Sequence, residues 1–146
     1  RSLQFDLFEA TRVAKTWTAS VASRLDDSTR LWLFRQLNRL HDADEWLDGD
    51  RPVDLDSYKS FVRALIVGYI GGRPAIALGN RGEIIAIWQD NQDRLIVDFY
   101  ADGKVRFLVN QLADEQRERV AGNTITARLK QVLNPYRHER WFQHGR

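Results

Sequence analysis

The chain has 146 residues and no cysteine, and its 22 basic and 20 acidic side chains leave a net charge of +2. The lack of cysteine excludes disulfide bonds, thiolate chemistry and cysteine-ligated zinc, and it is compatible with a reducing cytoplasm, where we expect the protein to act. The longest apolar run, residues 64–70, is far shorter than the ~20 residues that cross a bilayer, so no membrane association is expected.

A chain of this length has the size of one domain, in which folding buries more than half of the surface that the unfolded chain exposes. The order of the predicted elements favours a single α+β domain, with N-terminal helices packed on a four- to five-stranded antiparallel meander and a helix at the C-terminus. We divide it into a mainly helical part at residues 1–72, the meander at residues 73–122, and the C-terminal helix and tail at residues 123–146.

The first helix is predicted from an apolar stripe. Apolar residues recur at alternating steps of three and four from Leu3 to Leu25, which is the spacing of one helical face. We therefore expect a helix over residues 3–24, with a strand as the alternative at residues 16–23, where Thr, Ser and Val are frequent. The same stripe could pair two copies of the chain, so a homodimer is the alternative to packing within one chain.

Two more helices are predicted before the first glycine-rich stretch. A short side-chain oxygen at Asp27 or Ser28 can accept from the free amides of a first turn, so the second helix is expected to start there and to end near Leu40. Asp56 or Ser57 is expected to cap the third helix in the same way. Glycines then end this helix.

Short β-rich runs follow, each separated from the next by a few turn residues. Turns this short force neighbouring strands to be antiparallel, so the runs predict a meander. The four clearest runs are residues 75–78, 83–89, 94–100 and 104–110, and residues 116–121 are a candidate fifth strand.

The chain after the meander is predicted to turn at Gly122-Asn123. Thr124 is then expected to cap a helix over residues 125–133. The tail that follows is basic and aromatic, and it needs anchors if it is to be ordered. Two aromatic residues are expected to supply them, Trp141 and Phe142.

The strands alternate in a way that predicts two different sheet faces. Leu95 and Val97 alternate with Arg94 and with other polar or mixed residues, so one face is expected to be core and the other to stay open. Interface anchors are enriched in Trp, Tyr and Arg, which makes the open face a candidate docking surface. The residues expected to bind a partner there are Trp88, Arg94, Tyr100 and Arg106, with a place in the core as the alternative for Trp88.

Residues 41–55 form an acidic stretch with Gly and Pro and no sustained period, so they are predicted to be a loop. Trp46 is a candidate anchor within it, and Asp48 and Asp50 are candidate contacts to a partner. The loop lacks the Gly and the terminal Glu of a calcium-binding EF-hand loop, and a solvated loop is the expected alternative.

Four segments together look like a group of small bacterial proteins. They are residues 46–52 (WLDGDRP), 56–58 (DSY), 73–74 (RP) and 135–142 (PYRHERWF), with the meander between the last two. The group is largely uncharacterised, its members carry a Trp-Asp-Gly-like loop between helices, and they are often met among mobile, toxin and antitoxin genes. The resemblance implies a β-meander followed by a C-terminal helix and assigns no catalytic residue.

No catalytic, metal or cofactor site can be assigned from the sequence. The histidines stand at positions 41, 138 and 144, and His138-Glu139 lacks the second histidine, one helical turn away, of a metalloprotease. No GxSxG nucleophile motif is present. Whether the protein is an enzyme therefore stays open, and a non-catalytic role is favoured.

The sequence suggests two functions. The first is binding of a protein partner, as an antitoxin, immunity or adaptor protein does. The second is binding of RNA, or its cleavage without a metal, because basic and aromatic residues are interleaved in the C-terminal third. The residues assigned to this alternative are Arg117, Arg119, Arg137, Arg140 and Trp141.

Overall fold

A computed structural model describes residues 2–143 and shows an α+β fold, with helices first, an antiparallel sheet next and short helices last. This architecture confirms the predicted fold class. The helices are α1 (Leu3–Ser20), α2 (Asp27–Leu40), α3 (Leu55–Val67), α4 (Leu129–Leu133) and α5 (Glu139–Phe142). The strands are β1 (Ala75–Leu78), β2 (Ile84–Asp90), β3 (Asp93–Phe99), β4 (Lys104–Ala113) and β5 (Gln116–Ile125).

The five strands lie in the sheet in the order in which they occur in the chain, and every neighbouring pair is antiparallel. Tight turns enforce this order, because a few residues cannot carry the chain across a sheet. The turn between β4 and β5 consists of Asp114 and Glu115, both at positive φ (50° and 67°). This backbone shape matches the right-handed twist of a hairpin.

The expected caps of α2 and α3 are wrong by one or more residues. Asp26 caps α2, since its side chain accepts a hydrogen bond from the Thr29 amide at 2.6 Å. Asp54 caps α3 by accepting from the Ser57 amide at 3.0 Å. Several short polar residues compete for the role at each site, and position relative to the first turn decides which of them is used.

The Ser57 hydroxyl is used to join α3 to the sheet. It donates to the Phe99 carbonyl at 2.6 Å and accepts from the Ile84 amide at 2.7 Å, and the serine is 1% exposed. One side chain therefore satisfies buried backbone groups of both β2 and β3. The start of α3 is fixed against these strands by this contact.

The predicted turn at Gly122-Asn123 is wrong, whereas the helix predicted over residues 125–133 is present as a 3-10 turn (Thr126–Arg128) that runs into α4. β5 continues to Ile125, with Gly122 opposite Phe107 and Asn123 opposite Arg106. The Phe107 ring lies over Gly122, so that a Cβ added there would be 2.9 Å from the ring. An aromatic side chain thus covers the glycine and lets the strand continue through it. Thr124 lies in the strand and caps nothing, and only Leu129–Leu133 is α-helical.

The covered face of the sheet carries the core. Its side chains on the three central strands are Ile84, Ala86, Trp88, Leu95, Val97, Phe99, Val105, Phe107 and Val109, and all of them are buried. Phe61 of α3 packs edge-on against Phe99, with ring centroids 5.2 Å apart. α1 lies farther out and packs on α2 and α3, where Leu7 and Ala14 of its predicted stripe are buried. One hydrophobic cluster therefore runs from the helices into the sheet.

Gly82 sets the distance between the β1–β2 turn and the segment that leads into α3. The Asp54 amide donates to the Gly82 carbonyl at 2.8 Å, and Gly82 has a φ of +80°. A Cβ added at Gly82 would overlap the Pro52 carbonyl oxygen. Both the backbone conformation and the close approach therefore require glycine here.

We expect Gly82→Ala to lower the free energy of unfolding by more than about 2 kcal/mol, because it adds a clash to a strained φ. Gly49→Ala is the matched control: Gly49 has a φ of +91° but nothing within 4 Å of an added Cβ, so it should lose only about 1 kcal/mol. Urea unfolding of both variants measures the difference. Equal losses would show that the approach of Pro52 has no energetic role.

Candidate functional site

On the side of the sheet opposite the covered face, no helix of residues 2–143 is packed, and we call this side the open face. Its side chains fall into rows that cross the strands, as the pairing registers define, and three of these rows include a residue of β3. The apolar row is Ala75, Ile87, Ile96, Leu108 and Ala121. The Asp98 row is Ala77, Ile85, Asp98, Arg106 and Asn123. The Arg94 row is Gln89, Arg94, Asn110 and Arg119.

The apolar row places hydrophobic side chains in the middle of the open face. Ile87, Ile96 and Leu108 are only partly buried, although each lies on a central strand. Ala75 and Ala121 at the ends of the row are exposed. A row of this kind on a solvent-facing sheet leaves apolar area that a partner could cover.

Each of the two rows beside it carries at least one arginine. Arg106 is exposed and forms no salt bridge with any residue of the described chain. The exposed Arg94 donates from Nε to Oε1 of Gln89 at 2.9 Å, and Arg119 is exposed as well. These guanidinium groups are available to carboxylates of a partner, which they can bind in a bidentate way.

Asp98 is the acidic group of the open face and lies beside Tyr100. The Tyr100 hydroxyl donates to Oδ2 of Asp98 at 3.4 Å, and Tyr100 is 37% exposed at the end of β3. Partial burial raises the pKa of Asp98, and the negative charge of Glu83 raises it further. Burial and then the charges of Asp98 and Glu83 also raise the pKa of Tyr100. A cation placed here by a partner would relieve this repulsion.

A shallow depression of about 240 Å³ lies where the apolar row meets the Asp98 row. Ile96, Leu108 and Ala121 form its apolar wall, and Asp98 and Arg106 form its charged edge. The depression can take one side chain of a partner with an apolar body and a polar end.

Of the four sheet residues expected to bind a partner, Trp88 takes the place in the core that was the alternative for it. It lies on the covered face, is 3% exposed, and donates from Nε1 to the Gly71 carbonyl at 2.7 Å. Phe142 packs edge-on against it at 5.1 Å. Side chains two residues apart in a strand point to the same side, so Trp88 lies with the buried Ile84 and Ala86 of β2. Arg94 and Arg106 lie on the open face, and Tyr100 lies at its rim.

The acidic loop lies at the β1 edge of the sheet, away from the depression. A groove of about 320 Å³ runs between this loop, the end of α2 and β1, with Trp46 and Asp50 among its lining residues. Trp46 is half-buried and donates from Nε1 to the Leu40 carbonyl at 3.1 Å, while Oδ2 of Asp50 accepts from the Leu47 amide at 2.9 Å. Asp48 is exposed.

A buried histidine holds this loop against the helices. Nε2 of His41 accepts from the Val53 amide at 3.1 Å, so Nδ1 carries the proton and donates to Oγ1 of Thr11 at 2.7 Å. Thr11 in turn donates to the Leu7 carbonyl at 2.8 Å. The chain of hydrogen bonds requires neutral imidazole, and burial lowers the pKa of His41 from 6.5 to about 4.

The basic tail is part of the structural framework. Arg140 has a side chain that is 9% exposed and donates from Nη1 to Oδ2 of Asp93 at 2.5 Å. Its guanidinium also lies 4.0 Å from the Trp141 ring centroid, and Trp141 is 2% exposed. Both side chains are covered and anchor the tail, which leaves little of either for contact with RNA.

The other basic residues of the RNA alternative differ in their availability. Arg117 is held by Asp93 at 3.3 Å and by the Gln92 carbonyl at 2.8 Å. Arg137 is exposed beside α5 and has a φ of +58°. Arg119 belongs to the Arg94 row of the open face, and Arg117 follows two residues away on the same side of β5, opposite Leu112.

The arrangement can bind charged and apolar groups, but it does not assemble a recognisable catalytic set. No group of three or more His, Asp or Glu side chains within residues 2–143 is placed to hold a metal ion. His41 is buried under the acidic loop, and His138 stacks near Phe142 behind the sheet. Neither imidazole reaches the open face. No helix in the described part of the chain is long and apolar enough to span a membrane.

Sequence reasoning missed Ile96, Leu108 and Asp98 as parts of the site. The sequence did contain the information, because each of the three is an even number of residues from Arg94 or Arg106 in its strand and therefore points to the same face. The register that aligns Ile87, Ile96 and Leu108 into one row could not be read from the sequence. It depends on the turn lengths, and a shift of one residue would move each side chain to the other face.

We expect protonation of His41 to destabilise the protein as the pH falls from 7 to 5. The pKa of His41 in the folded chain is about 4, below that of an unfolded histidine, so its stabilisation is complete above pH 6.5 and is lost as the pH falls towards 4. The free energy of unfolding should fall by about 2 kcal/mol between pH 7 and 5 because of this group. His41→Gln cannot titrate between pH 7 and 5, so its free energy of unfolding should lack this part of the pH dependence. Denaturant titrations of both proteins at pH 7 and pH 5 measure it. An equal pH dependence in the variant would contradict this account.

No protein-family model matches the chain, and no curated protein and no solved structure matches it either.

Proposed function

We propose that the protein works by binding another protein through the open face of its sheet, without catalysis. The observation that carries this proposal is the apolar row of Ile87, Ile96 and Leu108, which remains partly exposed between two rows that carry arginines. A protein interface combines an apolar centre with a polar, hydrated rim, and Arg and Tyr are enriched among its energetic anchors.

The charges of the face define the kind of partner. Arg94, Arg106 and Arg119 surround the apolar row, and Asp98 is the acidic group among them. A complementary surface has an apolar centre and a rim rich in Asp and Glu, with one cation placed to meet Asp98 and Tyr100. Such charges would accelerate association and fix the orientation of the partner.

The acidic loop offers a second contact of opposite charge. Trp46 and Asp50 line the groove beside β1, and Arg51 lines both this groove and a second pocket, of about 260 Å³, that also includes Tyr100. A partner large enough to cover the open face would reach this rim with its own basic residues. Antitoxin, immunity and adaptor proteins act by binding of this kind. An antitoxin would meet its toxin in the cytoplasm.

RNA binding is the alternative, and the arginines of the open face support it. Single-stranded RNA is usually held by aromatic side chains on which bases stack, in addition to cations. Tyr100 is the aromatic residue at the rim of the face, and Trp141 and Trp88 are buried behind the sheet. The face therefore provides charge without a stacking platform, which favours a protein partner.

Arg106→Glu should weaken binding of the partner by at least about tenfold, because it reverses a charge beside the apolar row. Arg35→Glu is the matched control, since Arg35 is exposed on α2 and far from the open face in the fold. The wild-type chain and both variants are used as baits in extracts of the native cell. A protein retained by the wild type and by Arg35→Glu, but not by Arg106→Glu, is then purified and titrated by calorimetry.

Two results would oppose the proposal. Equal retention of every captured protein by Arg106→Glu and Arg35→Glu would remove the open face as the docking surface. Tight binding of a generic single-stranded RNA that weakens steeply with salt, and is lost in Arg106→Glu, would instead favour the RNA alternative. Thermal unfolding of each variant confirms beforehand that it is folded.

A further inference from the structure

The two edges of the sheet differ in how they are protected. β1 (Ala75–Leu78) is short, and Arg39 of α2 donates a hydrogen bond to its Ile76 carbonyl. β5 (Gln116–Ile125) is ten residues long, and none of its side chains is buried. Edge strands expose unpaired amide and carbonyl groups that can pair with another strand, and proteins usually shield them.

β5 lacks most of the usual shields, since its charged residues are confined to Arg117, Glu118 and Arg119 near one end. All of its residues pair with β4 in an unbroken register from Gln116 to Ile125, so no bulge twists the edge away. The strand contains no Pro and no Lys. Apart from its ladder with β4, its backbone takes part in no hydrogen bond with residues 2–143. The outer side of β5 is therefore a free template for a further strand.

We propose that β5 pairs with β5 of a second copy of this chain, antiparallel and with the two-fold axis at Ala121. The two five-stranded sheets would then form one continuous sheet of ten strands. This inference concerns self-association and goes beyond the proposed binding of a partner. The charges of β5 and the apolar row of the open face favour a second copy in this register.

Symmetry limits the registers that are available. A two-fold axis perpendicular to the sheet places the open faces of both copies on the same side, so it must pass through a residue of β5. An axis at Glu118 would put Glu118 opposite itself and Arg117 opposite Arg119. Like charges directly opposite each other are destabilising, so this register is disfavoured.

An axis at Ala121 avoids every such conflict. Arg119 then lies opposite Asn123 of the second copy, Arg117 opposite Ile125, and Glu118 opposite Thr124. The charges of β5 all lie within residues 117–119, and each meets an uncharged residue. The aliphatic part of Arg117 can also cover Ile125, which is 42% exposed in the single chain.

The open face supports the same axis. Ala121 is the end of the apolar row, next to Leu108, so the two rows would meet at the axis and form one apolar band across both copies. An axis at Val120 also avoids like charges, but it would place Arg119 opposite Ala121 and insert a guanidinium between the two rows. The continuous band selects Ala121.

Single-cysteine variants test the register directly, because the chain has no cysteine of its own. In the proposed dimer the two Ala121 Cβ atoms lie about 5 Å apart, close enough for a disulfide after a small adjustment. The two Ile125 side chains lie eight residue steps apart along the strands, about 27 Å. Mild oxidation should therefore cross-link Ala121→Cys into a dimer and leave Ile125→Cys monomeric on a non-reducing gel. Equal cross-linking of the two variants, or none in Ala121→Cys, would overturn the proposal.

Sedimentation velocity provides a second test without a thiol. The wild-type chain of 17.0 kDa should sediment as a dimer at tens of micromolar, and Ala121→Lys should be a monomer because two ammonium groups would meet at the axis. Ala75→Lys adds the same charge to the same face at the opposite edge, and it should remain a dimer. A monomeric wild type, or an Ala121→Lys variant that keeps the dimer mass, would show that β5 does not pair with itself. A monomeric wild type would count against self-association only. The proposed binding of a partner is tested separately by Arg106→Glu.

Discussion

The alternation of side chains along the strands is the constraint on which the rest of this structure depends. Successive residues of a strand point to opposite sides, so β2, β3 and β4 each commit one set of residues to each face. Their turns are too short to carry a helix, and every helix must therefore come from the chain before β1 or after β5. Both groups of helices pack on the same face, where Leu95, Val97 and Val109 are buried. The opposite face is left open as a consequence.

A small number of polar contacts fix the helices to that face. Ser57 joins the start of α3 to the ends of β2 and β3, and Asp93 joins β3 to α5 and to the β4–β5 hairpin. Burial opposes the ionisation of Asp93, but hydrogen bonds from the Leu112 amide and Arg140 outweigh it and lower its pKa. The C-terminal residues that seemed suited to nucleic acid thus serve to hold the sheet in shape. A sheet held in this way presents the arginines of its open face at fixed spacing, which is what a specific docking surface needs.

The sequence predicted the elements better than it predicted the site. Hydrophobic periodicity located the helices and strands, because it reports directly on which side of an element is buried. It failed at Gly122-Asn123, where the Phe107 ring covers a glycine from a neighbouring strand, and no local pattern reports that contact. For the same reason Arg140 was assigned to RNA, since its partner Asp93 is 47 residues away along the chain. The alternation of side chains along β2 could have decided between the two places given for Trp88. The same alternation along β3 and β4 could have found Ile96 and Leu108 of the apolar row.

Solvent access to the methyl groups of the two faces shows directly whether one face of the sheet is uncovered in solution. Methyl NMR spectra recorded with a soluble paramagnetic gadolinium chelate measure how strongly each methyl signal is broadened by contact with solvent. We expect strong broadening for Ile87, Ile96 and Leu108 of the open face. The signals of Leu95, Val97 and Val109 on the covered face should be protected. Protection of both sets would mean that the face is covered in solution, and it would contradict the account of an open surface available to a partner.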